Sequence, residues 1–369
     1  MTGLRILRAM GMALLAALAV PLAPVRPVAA QELAQRLGPP DATRSVTLRS
    51  TTDLDVLRPV LSAFLADRPQ VAVRYEQWLS NGLYARATAD CLQRRAGADL
   101  VISSAVHHMV DLVNRGCAAR HVSSGTAALP PALNWRDELW GVTQEPAVMV
   151  YNRDLVPEAD VPRSRFDLLD LLRSPDSRYA GRVATYDIEA SGLGYLFAYA
   201  DSLEATTFGG LMEAFGRTDT VATCCSAQIM SGIVSGRYLI AYNIIGSYAM
   251  ERARDDPRLG IVAPDDYTLM LSRGAMIPRE APDRDLAGEL VDFLLSVEGR
   301  AALKDAALLT DLDELTRTGA ATAGQGASLL RPVELSPKLL VASDRHKRML
   351  FLSRWRDAFP TVEPVAPAP

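Results

Sequence analysis

Residues Gly181 to Ala198 read GRVATYDIEASGLGYLFA. Val183 to Tyr186 is a short apolar run with a β-branched member, which predicts a strand. Asp187 to Ala190 breaks that run, and Ser191 stands where a helix cap belongs, with Gly192 and Gly194 in the turn that follows. A helix start holds unpaired backbone N–H groups and about half a unit of positive charge, so glycines there let an anionic or strongly polar solute approach the main chain. The stretch reads as a binding site without a nucleophile. The competing reading is an ordinary strand-to-helix connection closed by a serine cap.

The same alternation recurs on both sides. Ser45 to Ser50 (SVTLRS) predicts a strand that leads through Thr51, Thr52 and Asp53 into a helix, with Leu54, Leu57, Leu61, Phe64 and Leu65 at helical spacing. Val71 to Trp78 predicts a second strand and Asn81 to Arg94 a helix. Ala98 to Ile102 predicts a buried strand ending at Ser103 and Ser104, and the helix from Val106 to Asn114 closes at Gly116. Small hydroxyl residues thus follow two strands at their C-terminal ends, where open α/β sheets bind ligands. Trp140 to Asn152 is extended and apolar enough to pass between two sheets. Helices are expected at Asp201 to Phe215, Ser226 to Ser235, Asp285 to Asp305 and Asp344 to Phe359. A buried strand from Tyr238 to Tyr242 leads to a polar loop at Asn243 to Ser247, and short strands at Ile261 to Val262 and Tyr267 to Leu271 are expected to return to the first domain. Thr316 to Ser328 reads as a surface loop, and the last ten residues, PTVEPVAPAP, as a disordered tail.

The 369 residues are enough for two domains. The first thirty combine a basic start, an apolar run from about Met10 to Leu22 and small residues at Val28 and Ala30, which predicts a signal peptide cleaved after Ala30. From Gln31 onward 36 basic residues stand against 43 acidic ones, a balance with no electrostatic reason to seek nucleic acid. No cysteine stands at the cleavage point, so no lipid anchor is expected. An exported chain can form disulfides: the spacing of Cys91 and Cys117 admits a bridge between two helices, the alternative being two buried thiols. Adjacent Cys224 and Cys225 are expected as free or separately buried thiols.

Signatures of catalysis and of metal or cofactor binding are absent. The four histidines, His107, His108, His121 and His346, form no metal spacing, and the adjacent pair point about 100° apart on a helix, which predicts different faces. No HExxH, GxSxG, Walker A or SxxK pattern occurs, so neither an enzyme nor a cofactor is expected.

The order of TTDLD, ADLVISSA, GVTQEPAVMVYN, GRVATYDIEASGLGY, SGRYLIAYNIIGSYA and RGAMIPREAP, followed by FLLSVEGRAAL, resembles the periplasmic solute-binding proteins of ABC transporters, in particular the ferric-iron-binding-like group of the type II class. The similarity spans roughly Thr47 to Phe359. It implies an α/β fold of two lobes joined by crossing strands, with the solute held in the cleft by hinge closure. After the signal peptide (1–30), the first lobe would be 31–143 plus 266–369, with the tail at 360–369, and the second lobe 144–265. The resemblance places Thr51, Thr52, Trp78, Ser103 and Ser104 on the first lobe's side of the cleft, and Gln144, Ser191, Gly192, Asn243, Ser247 and Tyr248 on the second's. Iron-binding members present neighbouring tyrosines as ligands. Here Tyr242 and Tyr248 are six residues apart and Tyr242 is expected to be buried in its strand, so an organic anion, such as a carboxylate or phosphorylated compound, is preferred to ferric iron. The implied protein is a periplasmic monomer that delivers its solute to an ABC permease. Two alternatives are ferric-iron binding and, for the loaded protein, docking as a co-receptor on a sensor histidine kinase ectodomain.

Overall fold

The computed structural model describes residues 31–204, 206–310 and 329–359. The expected signal peptide, the loop at Thr316 to Ser328 and the C-terminal tail lie outside the described residues.

The strands in chain order are β1 (Gln31–Leu37), β2 (Arg44–Ser50), β3 (Val71–Trp78), β4 (Leu100–Ser103), β5 (Asn134–Trp135), β6 (Leu139–Gly141), β7 (Glu145–Asn152), β8 (Val183–Tyr186), β9 (Val221–Thr223), β10 (Ile240–Ile245), β11 (Leu259–Val262), β12 (Thr268–Leu271), β13 (Gly274–Met276) and β14 (Leu330–Pro332). They form two sheets. The first runs β1-β3-β2-β4-β13-β6-β5, and the second runs β14-β12-β7-β10-β8-β9 with β11 also on β7. The helices are α1 (Leu54–Ala66), α2 (Ser80–Leu92), α3 (Val106–Asn114), α4 (Ser124–Ala127), α5 (Arg165–Leu171), α6 (Gly192–Glu204), α7 (Phe208–Arg217), α8 (Ser226–Val234), α9 (Gly246–Asp255), α10 (Arg284–Leu295), α11 (Val297–Asp305), α12 (Lys338–Ser343) and α13 (Arg345–Ala358).

Each lobe has its own core. In the first, Leu54, Leu57, Leu61 and Phe64 of α1 bury one helical face against Val46 and Leu48 of β2 and Tyr75 of β3. In the second, Met149 and Tyr151 of β7 pack with Leu211 and Phe215 of α7. A third apolar cluster runs from Leu83 of α2 and Met109 of α3 to Leu196 and Phe197 of α6, so the two lobes lie against each other.

The chain crosses between the sheets within a few residues. Val142 to Gln144 connects β6 to β7, and Ser272 with Arg273 connects β12 to β13. The two crossings are stitched together: the Val142 N–H donates to the Arg273 carbonyl (3.0 Å), the Arg273 N–H to Thr143 Oγ1 (2.8 Å), and the Ser272 hydroxyl to the Thr143 carbonyl. Beside them the Arg273 guanidinium bonds both oxygens of Glu145, at 2.8 and 3.0 Å, and donates to Thr52 Oγ1 at 3.0 Å. Burial works against the Arg273 charge, but Glu145 outweighs it and holds the guanidinium pKa above its ordinary value.

The boundary expected at 266 differs from the observed sheets. β12 and β14 belong to the second sheet, as does β11, whose Ile261 and Val262 were expected to return to the first domain, and α13 packs on α7 of the second lobe while α12 packs on α3 of the first. The reason is register: Met270 and Leu271 pair with Pro146 and Glu145, so the chain stays in the second sheet until Ser272. Cys91 and Cys117 are disulfide-bonded, tying the end of α2 to the segment after α3. Cys224 and Cys225 are bonded to each other, which corrects the expectation of free thiols. That expectation rested on the rarity of a bond between neighbouring cysteines, whereas here both residues occupy one turn, between β9 and α8, at the cleft.

Candidate functional site: the cleft between the lobes

A cleft of about 180 Å³ opens where the C-terminal ends of β2, β3, β8 and β9 meet the starts of the helices that follow. That is several times the room one water needs, which suits a small organic molecule. From the first lobe it is lined by Thr51, Asp53, Gln77, Trp78 and Ser104. The second lobe contributes Tyr186, Ser191, Leu193, the Cys224–Cys225 pair, Ser226 and Tyr248, and Arg273 forms part of the floor.

Five of the expected ligand residues are therefore on the cleft surface: Thr51, Trp78, Ser104, Ser191 and Tyr248. Thr51 Oγ1 accepts the Ser104 N–H (3.0 Å) and lies 3.2 Å from Ser104 Oγ, so the two hydroxyls form one polar corner. Ser191 Oγ accepts the Gly194 N–H (3.0 Å) and caps α6, as its sequence position predicts. The Tyr248 hydroxyl reaches across from α9 and accepts the Asp53 N–H at 2.9 Å, closing the start of α1. Burial raises the Tyr248 pKa well above its ordinary value, so the phenol stays protonated.

The other six are placed elsewhere. Thr52 is fully buried beneath the floor as an acceptor for Arg273. Ser103 Oγ turns inward to accept the Ala105 N–H. Gln144 is exposed at the hinge, its main chain bonded to Leu308 and Thr310. Asn243 is the bulge residue of β10, with φ 61°, where the register to β7 shifts, and it faces a small cavity beside Tyr242. Ser247 is fully buried and donates to Glu145. Gly192 belongs to the contact between the lobes: its N–H donates to Ser80 Oγ (2.8 Å). Asn81 Nδ2 beside it donates to the carbonyls of Glu189 (2.8 Å) and Ala190 (2.9 Å).

The two glycines of the SGLG turn are there for close packing. A Cβ on Gly192 would lie 2.8 Å from His108 Cε1 and 3.0 Å from Ala105 Cβ, both in the first lobe. One on Gly194 would lie 2.4 Å from Tyr186 Cβ in its own lobe. The amides of both are taken by serine hydroxyls, so α6 does not offer them to a solute. The start of α8 is different: Cys225 makes no side-chain cap there, and Ser226 and Ala227 line the cleft.

Three features that sequence reasoning missed matter for electrostatics. Glu32 and Asp53 both line the cleft and both accept from Gln77 Nε2, at 3.1 and 3.0 Å. Burial, followed by the Glu32 charge, raises the Asp53 pKa. Arg273, the cation of the lining, is already paired with Glu145. Asp53 was signalled by TTDLD after the first strand, and Arg273 stands in the RGAM motif, but in sequence neither is distinguishable from a surface charge.

Among the described residues no group of three His, Cys, Asp or Glu is placed to hold a metal ion. Tyr242 is buried as expected, with its hydroxyl in a network with Arg165 and Asp201, away from the cleft and from Tyr248.

Comparison with known proteins gives the same architecture. No curated protein matches the sequence. Residues 50–307 match the family model described as bacterial extracellular solute-binding protein. The substrate-binding protein of an ABC transporter from Agrobacterium tumefaciens is 30% identical and superposes with a TM-score of 0.79, over 89% of this chain and 99% of that one. Iron-bound HitA from Pseudomonas aeruginosa is 20% identical with a TM-score of 0.62, over 85% of this chain and 99% of that one. AfuA from Actinobacillus pleuropneumoniae, solved with fructose-6-phosphate, is 15% identical with a TM-score of 0.63, over 86% and 99%. The last two show the shared fold alone. The chain belongs to the bacterial extracellular solute-binding proteins, the solute-capturing partners of ABC transporters.

Proposed function

We propose that this protein captures a small hydroxylated organic anion, such as a hydroxycarboxylate or a phosphorylated compound, and delivers it to an ABC permease from the periplasm. The observation that carries the reading is the two-ended cleft. At one end the uncapped start of α8, at Ser226 and Ala227, offers main-chain N–H groups and a positive helix end to an anionic group. At the other, the carboxylates of Asp53 and Glu32, both held by Gln77 Nε2, present oxygens that accept hydrogen bonds from hydroxyls. The hydroxyls of Thr51, Ser104 and Ser191 lie on the same surface. A strongly anionic solute without hydroxyls would meet two carboxylates and, among the described residues lining the cleft, no unpaired cation, which favours one localised negative group over several.

The periplasmic location rests on the leader-like first thirty residues. Gln31, the first residue after the expected cleavage, already pairs with Trp78, and among the described residues no helix is long and apolar enough to cross a membrane.

A thermal-shift panel of citrate, malate, fructose 6-phosphate, glycerol 3-phosphate and ferric citrate tests the reading. One or more hydroxylated anions should raise the melting temperature, and the gain should disappear in Ser226→Pro, which fills the α8 start. A folded protein that no member stabilises would overturn the proposed solute class.

A further inference from the structure

The α3 histidines do not diverge to different faces as expected. Both are buried, with ring centroids 4.0 Å apart, because α3 is enclosed on two sides. The His108 ring stacks on Tyr84 of α2 at 4.3 Å, and its Cε1 faces Gly192 of α6. His107 packs on Tyr195 of α6 at 5.4 Å. The Nδ1 atoms of both rings are buried without a hydrogen-bond partner.

We propose that the seam where α2 and α3 meet the start of α6 is a latch that holds the lobes shut at neutral pH and opens when His107 and His108 take up protons. The inference rests on the reading that the lobes close around a solute. The mechanical part is the bond from Gly192 to Ser80 and the pair from Asn81 to Glu189 and Ala190, which join the lobes beside the His108 ring.

The surroundings favour neutral rings only. From α2 comes Tyr84, whose hydroxyl is committed to Asp111; from α6 comes Tyr195, whose hydroxyl is committed to the Ala342 carbonyl. α13 brings Arg348, 5.3 Å from the Tyr195 ring, which opposes a second positive charge. On α3 itself Asp111, the acid that acts on His108, also holds Arg115. α12 carries no titratable side chain between Leu339 and Ser343, and Lys338 at its start is paired with Glu334. Burial, then Arg348, brings His108 down to about 3; burial, then His108 and Arg348, holds His107 well below its ordinary range.

The sign follows from linkage. Rings freed by opening regain an ordinary pKa of about 6.5, so the open form binds protons that the closed form refuses. Closure is at full strength above that pH and is lost as pH falls below it. With both rings contributing, the closed-to-open ratio drops about 30-fold between roughly pH 6.5 and 5.5.

Small-angle scattering on the full chain without added solute, from pH 7.5 to 5.0, reads the result. We expect the radius of gyration to grow below pH 6.5 with the far-UV dichroism unchanged, and hydrogen exchange to rise at residues 80–84 and 187–194. The variant H107F/H108F, which keeps aromatic packing but cannot titrate, should stay compact across the range; H108Q, should the first not fold, should halve the steepness of the response. No expansion by pH 5.0, an equal expansion in the variants, or expansion only with loss of dichroism would each overturn the latch. Solute stabilisation at pH 7.5 is scored separately: its absence would count against the capture reading and leave the scattering result standing.

Discussion

The two glycines of the SGLG turn make opposite predictions from one local sequence. Neither has a positive φ, so alanine is conformationally acceptable at both and only the space around each matters. A methyl at Gly192 meets His108 at 2.8 Å, Ala105 at 3.0 Å and Asn81 at 3.1 Å, all across the seam. A methyl at Gly194 meets Tyr186 Cβ at 2.4 Å, inside the second lobe, where no opening of the cleft relieves it. Overpacking of this kind costs about 1–3 kcal/mol. For Gly192→Ala that cost falls on the closed form alone, so at pH 5.0, where the latch is released and the free protein is open, it translates into roughly 5- to 150-fold weaker solute binding at about 1.4 kcal/mol per decade. The lobes themselves should melt as before. For Gly194→Ala the same cost falls on the fold and should appear as a lower melting temperature with the affinity of the surviving protein little changed. Calorimetric titration with the best stabiliser from the solute panel, run beside thermal unfolding by circular dichroism, separates the two. Equal losses of melting temperature in the two variants, or undiminished affinity in Gly192→Ala, would refute the assignment of Gly192 to closure.

Three further outcomes follow from the buried interactions. Glu145→Gln leaves the fully buried Arg273 guanidinium without its counter-charge, and the loss of one partner from such a pair costs about 3–5 kcal/mol, readable by urea unfolding. Replacing Cys91 and Cys117 by serine opens a loop with a sequence separation of 26, for which chain entropy gives a loss of about 3.5 kcal/mol. A thiol count on the unfolded, unreduced wild type should find none, since all four cysteines are bonded.

Much of this architecture is legible in the sequence because it is local. The alternation from SVTLRS to the apolar periodicity of Leu54, Leu57, Leu61 and Phe64 specifies a strand and a helix from neighbours alone, as does the Ser191 cap. Cleft residues were legible where a strand end points directly at the partner lobe, as at Thr51 and Ser104. They were not where the chain bends between strand end and helix. Thr52 and Ser103, one residue from good positions, turn inward to Arg273 and the Ala105 amide. Asn243 is displaced by a bulge that only the pairing with β7 reveals. Asp53, Glu32 and Arg273 belong to the cleft through contacts between residues over 20 positions apart, and nothing in their own neighbourhoods marks them. The histidines were misjudged because angular separation on a helix implies different surroundings only when one side faces water; α3 has protein on both.

The stitched crossings at 142–144 and 272–273 have a consequence for how a transporter could recognise a loaded receptor. Two crossings bonded to each other and anchored by one ion pair form a single joint, a geometry that favours rotation of the lobes about one axis over sliding. The distance between any two surface points on opposite lobes is then fixed by one angle. A permease that touches both lobes would then read that angle, and with it whether the receptor is full, without contacting the solute.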